Sequence, residues 1–372
     1  MMALALPAVE IVEESPREGM QIESARISTA DKIGLIDRLS ATGLRTIVVG
    51  SFVSPRWVPQ MEDMADVVAG FASVDGVTYR ALALNRKGVE LRDEHTPPLS
   101  PVDDRDRFAT RAHLCDVFVR RNTNRRQADE IEAWPRTVAK GVAAGLREAS
   151  IGMNAAWGSN WVGEFSLADR MRLLEEQHAL WSEHDVAVTK VWLGDPMGWN
   201  TPHQVVEQLE EILRRWPEVT TVHLHLHNTR GLALTSAYAA LMTLGTEHTL
   251  ILDSSVGGIG GCPYCGNGRA TGMIATEDLV HLLDTLGVAT GIDLPALVEA
   301  STFASRIVGR MLDGHVSRAG PRPQGDDRYA PDLPLVETFD EAQHFRCGSR
   351  VIAGGRRPWR PTDPIYELVD DA

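Results

Sequence analysis

Residues 188–216 read VTKVWLGDPMGWNTPHQVVEQLEEILRRW and contain one complete strand-and-helix unit. The short run VTKVWLG is rich in β-branched and apolar residues, which is typical of a buried strand. Pro202 follows Thr201, and proline is favoured at the first helical position because an N–H there would have no partner within the helix. The residues that follow repeat apolar side chains near i, i+3, i+4 and i+7. The stretch therefore predicts a strand followed by an amphipathic helix.

The same alternation of short β-like runs and longer helical runs recurs along most of the chain. Strands joined by helices pair in parallel, so eight such units predict an α/β fold, a closed (β/α)8 TIM barrel. The third unit is the weakest, because VELRDEHTPPLSPVDDRDR contains three prolines and predicts a broken helix with a surface insertion. The eight predicted strands are VEIVEE, TIVVGS, TYRALAL, CDVFVR, EASIGMN, VTKVWLG, VHLHLH and ILDSSV.

The periodic pattern ends near Leu312, so residues 1–312 are predicted to form one catalytic barrel domain. Residues 313–372 include GPRPQGDDRYAPDLP and GGRRPWRPTDP, which are dense in proline, glycine and arginine. Such a composition cannot form a core of its own. We expect an irregular C-terminal extension that wraps the barrel or a partner subunit.

The composition is that of a soluble globular protein, with 43% hydrophobic and 24% charged residues among 372. A formal net charge of −14 argues against a nucleic-acid partner, although a local basic pocket could still bind an acyl-CoA. No run of 18 apolar residues and no signal peptide is evident, which predicts no membrane association. Four scattered cysteines are too few for a disulfide scaffold and favour a cytoplasmic location.

Chemically active residue types cluster where predicted strands end, and in a barrel of this kind those ends form the catalytic face. In HLHLH, residues two apart share one face of a strand, so His225 and His227 point the same way and are candidate metal ligands. Satisfied core histidines are the alternative, and this alternative is stronger for His223, which lies one pleat deeper. Arg17 and Glu18 follow the first strand as a candidate anion-binding donor and cation ligand, or as an ordinary ion pair.

The segment CPYC lies between glycines after the last predicted strand. Cys262 on such a loop suits a general acid or base that the loop delivers to the barrel mouth. A redox-active pair, half of a zinc site and a plain loop thiol are the alternatives.

Several long motifs, in order, resemble 3-hydroxy-3-methylglutaryl-CoA lyase in the wider DRE-TIM metallolyase group. The similarity runs from about Val9 to Leu312. It implies a barrel that binds one divalent cation, Mg²⁺ or Mn²⁺, and forms a homodimer. It also implies retro-Claisen cleavage of a tertiary 3-hydroxyacyl-CoA to acetyl-CoA and a keto acid. The motifs are PREGMQ, SFVSPRWVPQM, GDPMGWNTP, HLHNTRGLAL, DSSVGGIGGCPY and ATEDLVHLLDTLGVATGIDL.

The resemblance assigns roles to individual positions. Arg17 matches the arginine that stabilises the enolate oxygen, and Cys262 matches the loop cysteine that helps protonate the enolate carbon. His225 and His227 match the two metal-ligand histidines, of which His225 is also a candidate proton acceptor. Asp195, in GDPMG, matches an aspartate at the barrel mouth.

Four departures from the family pattern predict an altered substrate or altered chemistry. Glu18 replaces the family aspartate among the metal ligands, and Val48 replaces a glutamate that supports the catalytic arginine. Met273 replaces the asparagine that completes the metal site, and a thioether is a poor ligand for a hard cation. Asn267, in a two-residue insertion of the same loop, is the candidate substitute ligand. The loop WGSNWVGE replaces a Cys-Pro-Tyr segment of the family.

Two other functions remain open on the sequence. The same barrel and cation could condense acetyl-CoA with a 2-keto acid, as the synthases of the group do. Altered ligands could instead leave a non-catalytic assembly subunit. The lyase is the leading hypothesis.

Overall fold

The computed structural model describes residues 5–265 and 272–328, and structural statements below concern these residues. The chain divides into two compact units, residues 1–318 and residues 319–372. Of the second unit, only residues 319–328 are described, and they include a 3₁₀ turn at Gly325–Asp327. The domain boundary at residue 312 and the wrapping role of the extension stay predictions. No helix in the described part of the chain is long and apolar enough to cross a membrane.

Eight strands form one sheet in which every ladder is parallel. The strands are β1 (Ala8–Glu13), β2 (Thr46–Phe52), β3 (Thr78–Ala83), β4 (Ala112–His113), β5 (Glu148–Asn154), β8 (Ala187–Asp195), β9 (Thr221–Leu226) and β10 (Thr249–Ser254). A separate antiparallel hairpin consists of β6 (Gly158–Ser159) and β7 (Gly163–Glu164). The strand order is β3-β2-β1-β10-β9-β8-β5-β4, which follows the chain around a ring. The predicted (β/α)8 TIM-barrel fold is confirmed.

Helices connect these strands and cover the outer faces of the sheet. They are α1 (Thr29–Ser40), α2 (Met64–Gly70), α3 (Arg86–Glu94), α4 (Asp104–Arg107), α5 (Asp116–Thr123), α6 (Gln127–Ala143), α7 (Leu167–Ser182), α8 (Pro202–Arg215), α9 (Ala233–Thr243), α10 (Thr276–Thr285), α11 (Leu294–Val308) and α12 (His315–Ala319). Alternate strand residues such as Ile47, Leu224 and Leu252 are fully buried in the core cluster that includes the helices. Pro202 opens α8 as predicted, although the Thr201 side chain makes no capping hydrogen bond.

The fourth predicted strand is wrong. The stretch CDVFVR belongs mostly to α5, which begins at Asp116, and the strand β4 lies just before it at Ala112–His113. Cys115 caps the helix, because its Sγ accepts a hydrogen bond from the Phe118 N–H (3.4 Å). Phe118 and Val119 are buried on one face of that helix, so the apolar run reflects helix packing.

The predicted break in the third unit is confirmed. The helix α3 ends at Glu94, and the proline-containing residues that follow separate it from the one-turn helix α4. Ser100 lies beside β3, because its N–H donates to the Tyr79 carbonyl oxygen (2.8 Å).

The carboxylate of Glu13 connects the end of β1 to the loop after β10. It is fully buried and accepts hydrogen bonds from the N–H groups of Ser15 (2.9 Å) and Val256 (3.2 Å) and from the Thr276 hydroxyl (2.6 Å). Burial raises the pKa of Glu13 to about 7, and these hydrogen bonds oppose that rise. Between pH 4.5 and about 7, the native state therefore keeps a proton on Glu13 that the unfolded chain has lost.

The pKa of Glu13 predicts a pH-dependent loss of stability. Between pH 4.5, the ordinary value, and about 7, the native state binds the extra proton. This group's contribution to the free energy of unfolding should fall across that window, by at most about 1.4 kcal/mol per pH unit, and level off above it. Glu13→Gln should remove this slope in urea unfolding titrations at several pH values. An unchanged slope in the variant would assign the dependence to another group.

Candidate active site

Arg17 and Glu18 lie in a π-helical turn, Ser15–Gly19, that directly follows β1. The Glu14 carbonyl oxygen accepts hydrogen bonds from the N–H groups of Arg17 (3.0 Å) and Gly19 (3.1 Å), and these bonds close the turn. A Cβ atom at Gly19 would lie 2.7 Å from the Ile259 side chain, so a larger residue would push the turn away from the loop after β10. The turn is thus fixed at the carboxyl end of the barrel.

Glu18, His225 and His227 form a group whose ligand atoms lie within 4.8 Å of one another. The Nε2 atom of His227 lies 3.3 Å from Nε2 of His225 and 3.7 Å from Oε1 of Glu18. Neighbouring ligands of an octahedral cation at about 2.1 Å are separated by roughly 3 Å, so these spacings fit a small divalent cation. Two imidazoles and a carboxylate are also a suitable donor set for such a cation.

Asp253 determines how His225 faces this group. Its Oδ2 accepts a hydrogen bond from Nδ1 of His225 (2.8 Å), and its Oδ1 accepts one from Nε2 of His223 (2.6 Å). The Nε2 atom of His225 is therefore left to face His227. Burial lowers the pKa of His225, but the Asp253 hydrogen bond and charge outweigh it and raise that pKa to about 9. For His227, burial and the charges on His225 and Arg17 lower the pKa well below its ordinary value.

Arg17 lies between two carboxylates. Its Nη1 atom pairs with Oε2 of Glu18 and lies 3.7 Å from Oε2 of Glu14. Burial lowers the pKa of Arg17, but the charges of Glu18 and Glu14 outweigh it and raise that pKa. Burial in turn raises the pKa of Glu14 to about 7, while the Arg17 charge acts to lower it. Glu14 was not among the residues predicted from the sequence.

An arginine, two carboxylates and paired histidines thus lie together at the barrel mouth. The HMGL-like family profile matches residues 8–304. The chain belongs to the HMGL-like family.

Two curated relatives and one solved structure illustrate the similarity. The (R)-citramalyl-CoA lyase of Chloroflexus aurantiacus is 37% identical over 326 residues, which cover 85% of this chain and 96% of that protein. The 3-hydroxy-3-isohexenylglutaryl-CoA/hydroxymethylglutaryl-CoA lyase of Pseudomonas aeruginosa is 35% identical over 314 residues, 84% of this chain and 96% of that protein. An HMG-CoA lyase from Acinetobacter baumannii, solved with coenzyme A and 3-methylmalate, has a TM-score of 0.68 at 29% identity, and covers 91% of this chain and 100% of its own. These relatives are named as carbon–carbon lyases, and this HMGL-like chain shares that enzyme class.

Cys262 lies on the loop after β10 and packs against a small apolar cluster that includes Met197 and Cys265. Cys262 is half-buried and lies close enough to Arg17 that a negative charge on its sulfur would raise the Arg17 pKa. Cys265 is buried, and its thiol donates to the Pro196 carbonyl oxygen (3.0 Å), so the second cysteine anchors the loop.

Two departures from the family pattern are visible in the packing. Met273 is buried and forms an isolated bridge with His227, which puts it beside the candidate metal ligands. Val48 packs with Val12 and Ile251, so its position in β2 supplies apolar surface. Asn267, the candidate substitute ligand, lies outside the described residues.

Asp195 holds a loop in this structure. Its carboxylate accepts hydrogen bonds from the N–H of Trp199 (3.0 Å) and from the N–H (2.7 Å) and side-chain amide (2.6 Å) of Asn200. Burial raises the pKa of Asp195 against these hydrogen bonds. Both oxygens are thus engaged by the β8–α8 loop, and a catalytic role for Asp195 stays a prediction.

A second polar cluster was missed, because the fourth strand was predicted too late in the chain. His113, at the end of β4, donates from Nδ1 to Oε1 of Glu130 (2.9 Å), and its Nε2 lies 3.3 Å from the Asn154 amide nitrogen. His113 of β4 pairs in register with Asn154 of β5. On the next two strands of the sheet, Gly194 of β8 pairs in register with His225 of β9. The cluster therefore faces the mouth at the same level as the candidate metal ligands.

Removing a metal-ligand histidine should release the cation. We expect His225→Ala and His227→Ala to lower Mn²⁺ affinity at least about 10-fold, because each change removes a direct donor rather than a supporting contact. His113→Ala is the matched control, since that imidazole is held by Glu130 and should leave Mn²⁺ binding unchanged. Calorimetric titration of the three proteins measures this. Equal affinities in all three would place the metal elsewhere.

Proposed function

We propose that this HMGL-like chain is a metal-dependent lyase that cleaves a 3-hydroxyacyl-CoA whose C3 carries no hydrogen. The products would be acetyl-CoA and a keto acid. The observation that carries the proposal is Arg17 beside the Glu18, His225 and His227 group. Support comes from the relatives, whose names describe lyases of substrates with this type of carbon skeleton.

In net terms the reaction moves one proton from the 3-hydroxyl to C2, with groups of the protein accepting and donating protons. The 3-hydroxyl proton leaves, the C2–C3 bond breaks, and its electron pair becomes the enolate of acetyl-CoA while C3 becomes a ketone. A divalent cation held by Glu18, His225 and His227 would lower the pKa of the 3-hydroxyl and orient it. The chain's own residues must then stabilise the enolate and protonate its carbon.

Arg17 is placed to meet the charge that develops on the thioester oxygen. A guanidinium offers fixed donors, and donors aimed at developing charge in a water-poor site stabilise the transition state strongly. Cys262, on the loop beside Arg17, would give its proton to C2 of the enolate. His225, with Nδ1 fixed by Asp253, presents Nε2 to the same space, and this one nitrogen serves either as a cation ligand or as the acceptor of the hydroxyl proton, because a single lone pair cannot do both at once.

The first test is substrate cleavage. Purified protein with Mn²⁺ should release acetyl-CoA from at least one member of a panel containing citramalyl-CoA, 3-hydroxy-3-methylglutaryl-CoA and 3-hydroxy-3-isohexenylglutaryl-CoA. Release should stop when EDTA removes the metal. Product formed only from acetyl-CoA and a keto acid would favour a synthase instead. Absence of both reactions would favour an assembly subunit.

The second test separates the roles of two residues. Arg17→Lys should lower kcat by about 10²-fold, because lysine keeps the charge but not the planar pair of donors. Cys262→Ser should bind Mn²⁺ normally yet turn over slowly, since a hydroxyl is a much weaker proton donor than a thiol. Cys265→Ser is the matched control within the same motif and should lose much less activity. Wild-type turnover by Arg17→Lys would remove Arg17 from the mechanism.

A further inference from the structure

Glu14 is a buried carboxylate that lacks a hydrogen bond on one oxygen. The residue is 8% exposed, and Oε2 has no hydrogen-bond partner among the described residues. An unsatisfied buried carboxylate destabilises the fold, so its presence calls for a functional reason. The group that it faces is the Arg17 guanidinium, with Nη1 at 3.7 Å.

The register places Glu14 next to Val48. Glu13, the last residue of β1, pairs with Ile47 of β2, so Glu14 follows the end of β1 while Val48 is the next residue along β2. Val12 lies two residues before Glu14 and packs with Val48, which indicates that both positions face the barrel interior. Neighbouring strands are only about 4.8 Å apart, so the carboxylate of Glu14, directly after β1, can reach the space that a carboxylate at position 48 of β2 would occupy.

Arg17 has a close carboxylate partner that is also a candidate ligand of the cation. Its closest partner, Glu18, belongs to the candidate metal-ligand group, and its Nε atom has no hydrogen-bond partner among the described side chains. Glu14 lies outside that ligand group, and Arg17 is its salt-bridge partner. A cation that draws Glu18 toward the histidines would leave Glu14 as the carboxylate that orients the guanidinium.

We propose that Glu14 is a positioning residue that holds Arg17 in its working orientation, and that the residue directly after β1 thereby supplies a carboxylate where β2 carries Val48. The inference rests on the proposed function, because that function gives Arg17 its role. It explains how an HMGL-like site can keep its arginine while carrying valine on the second strand.

The test exchanges the carboxylate between the two strands. Glu14→Gln keeps the shape but removes the charge, and it should lower kcat about 10- to 100-fold, the range typical of supporting residues, with Mn²⁺ affinity and KM unchanged. Glu14→Val should do the same. The exchanged variant, Glu14→Val with Val48→Glu, should recover most of the lost kcat. Glu10→Gln, four residues before Glu14 and within β1, is the matched control and should behave as wild type.

Several outcomes would overturn the proposal. An unchanged kcat in Glu14→Gln would show that the orientation of Arg17 does not depend on Glu14. Loss of Mn²⁺ binding in the same variant would show that Glu14 is a metal ligand. No recovery in the exchanged variant, when it melts at the temperature of Glu14→Val or above, would show that Glu14 acts in another way. Crystal structures with Mn²⁺ give a readout independent of turnover, because Arg17 should leave its position in Glu14→Gln and return in the exchanged variant. If the wild-type protein cleaves no substrate but the crystal structures show these Arg17 positions, the proposed function is rejected, while the role of Glu14 in positioning Arg17 is supported.

Discussion

The two hydrogen bonds of Asp253 fix the centre of this barrel. Its carboxylate lies between His223 and His225 with almost no exposure, and the two imidazoles hold the pKa of Asp253 well below its ordinary value, although burial alone would raise it. A buried charge is stable only when it is paired and hydrogen-bonded, so Asp253 and the histidines depend on one another. The result is a fixed direction for Nε2 of His225, and the rest of the candidate site is arranged around that direction.

The polar interior continues toward the amino ends of the strands. The Lys190 ammonium is 2.8 Å from Asp106, which lies on the one-turn helix α4, and Arg111 lies close to the same carboxylate. Interiors of such barrels are usually filled by branched apolar side chains, so ion pairs here carry a desolvation cost. The interrupted third unit therefore has a structural consequence, because it supplies the Asp106 side chain that neutralises Lys190.

Local periodicity predicted most of this architecture and part of the site. A period of two was enough to place His225 and His227 on one face, and a strand end was enough to place Arg17 and Glu18 at the mouth. The helix α5 was mistaken for a strand because VFV is apolar and β-branched, and only tertiary packing shows which face of that run is buried. Because the strand was predicted too late in the chain, His113 was not placed at a strand end. Glu14 was not predicted for a different reason, because its contact with Arg17 depends on a π-helical turn that no spacing rule predicts.

Asp195 and Gly260 show why loop chemistry is harder to predict than strand chemistry. An aspartate at a strand end is a reasonable catalytic candidate, yet here backbone N–H groups of the next loop donate hydrogen bonds to both oxygens of its carboxylate. Gly260 has a φ of 129°, and a Cβ atom there would lie 3.3 Å from Met273 Cγ and 3.5 Å from Glu18 Cγ. The Cys262 loop thus packs directly on Glu18 and Met273. The carboxylate, the thioether and the loop share one space, so a change in the size of one of them alters the room that is left for the others.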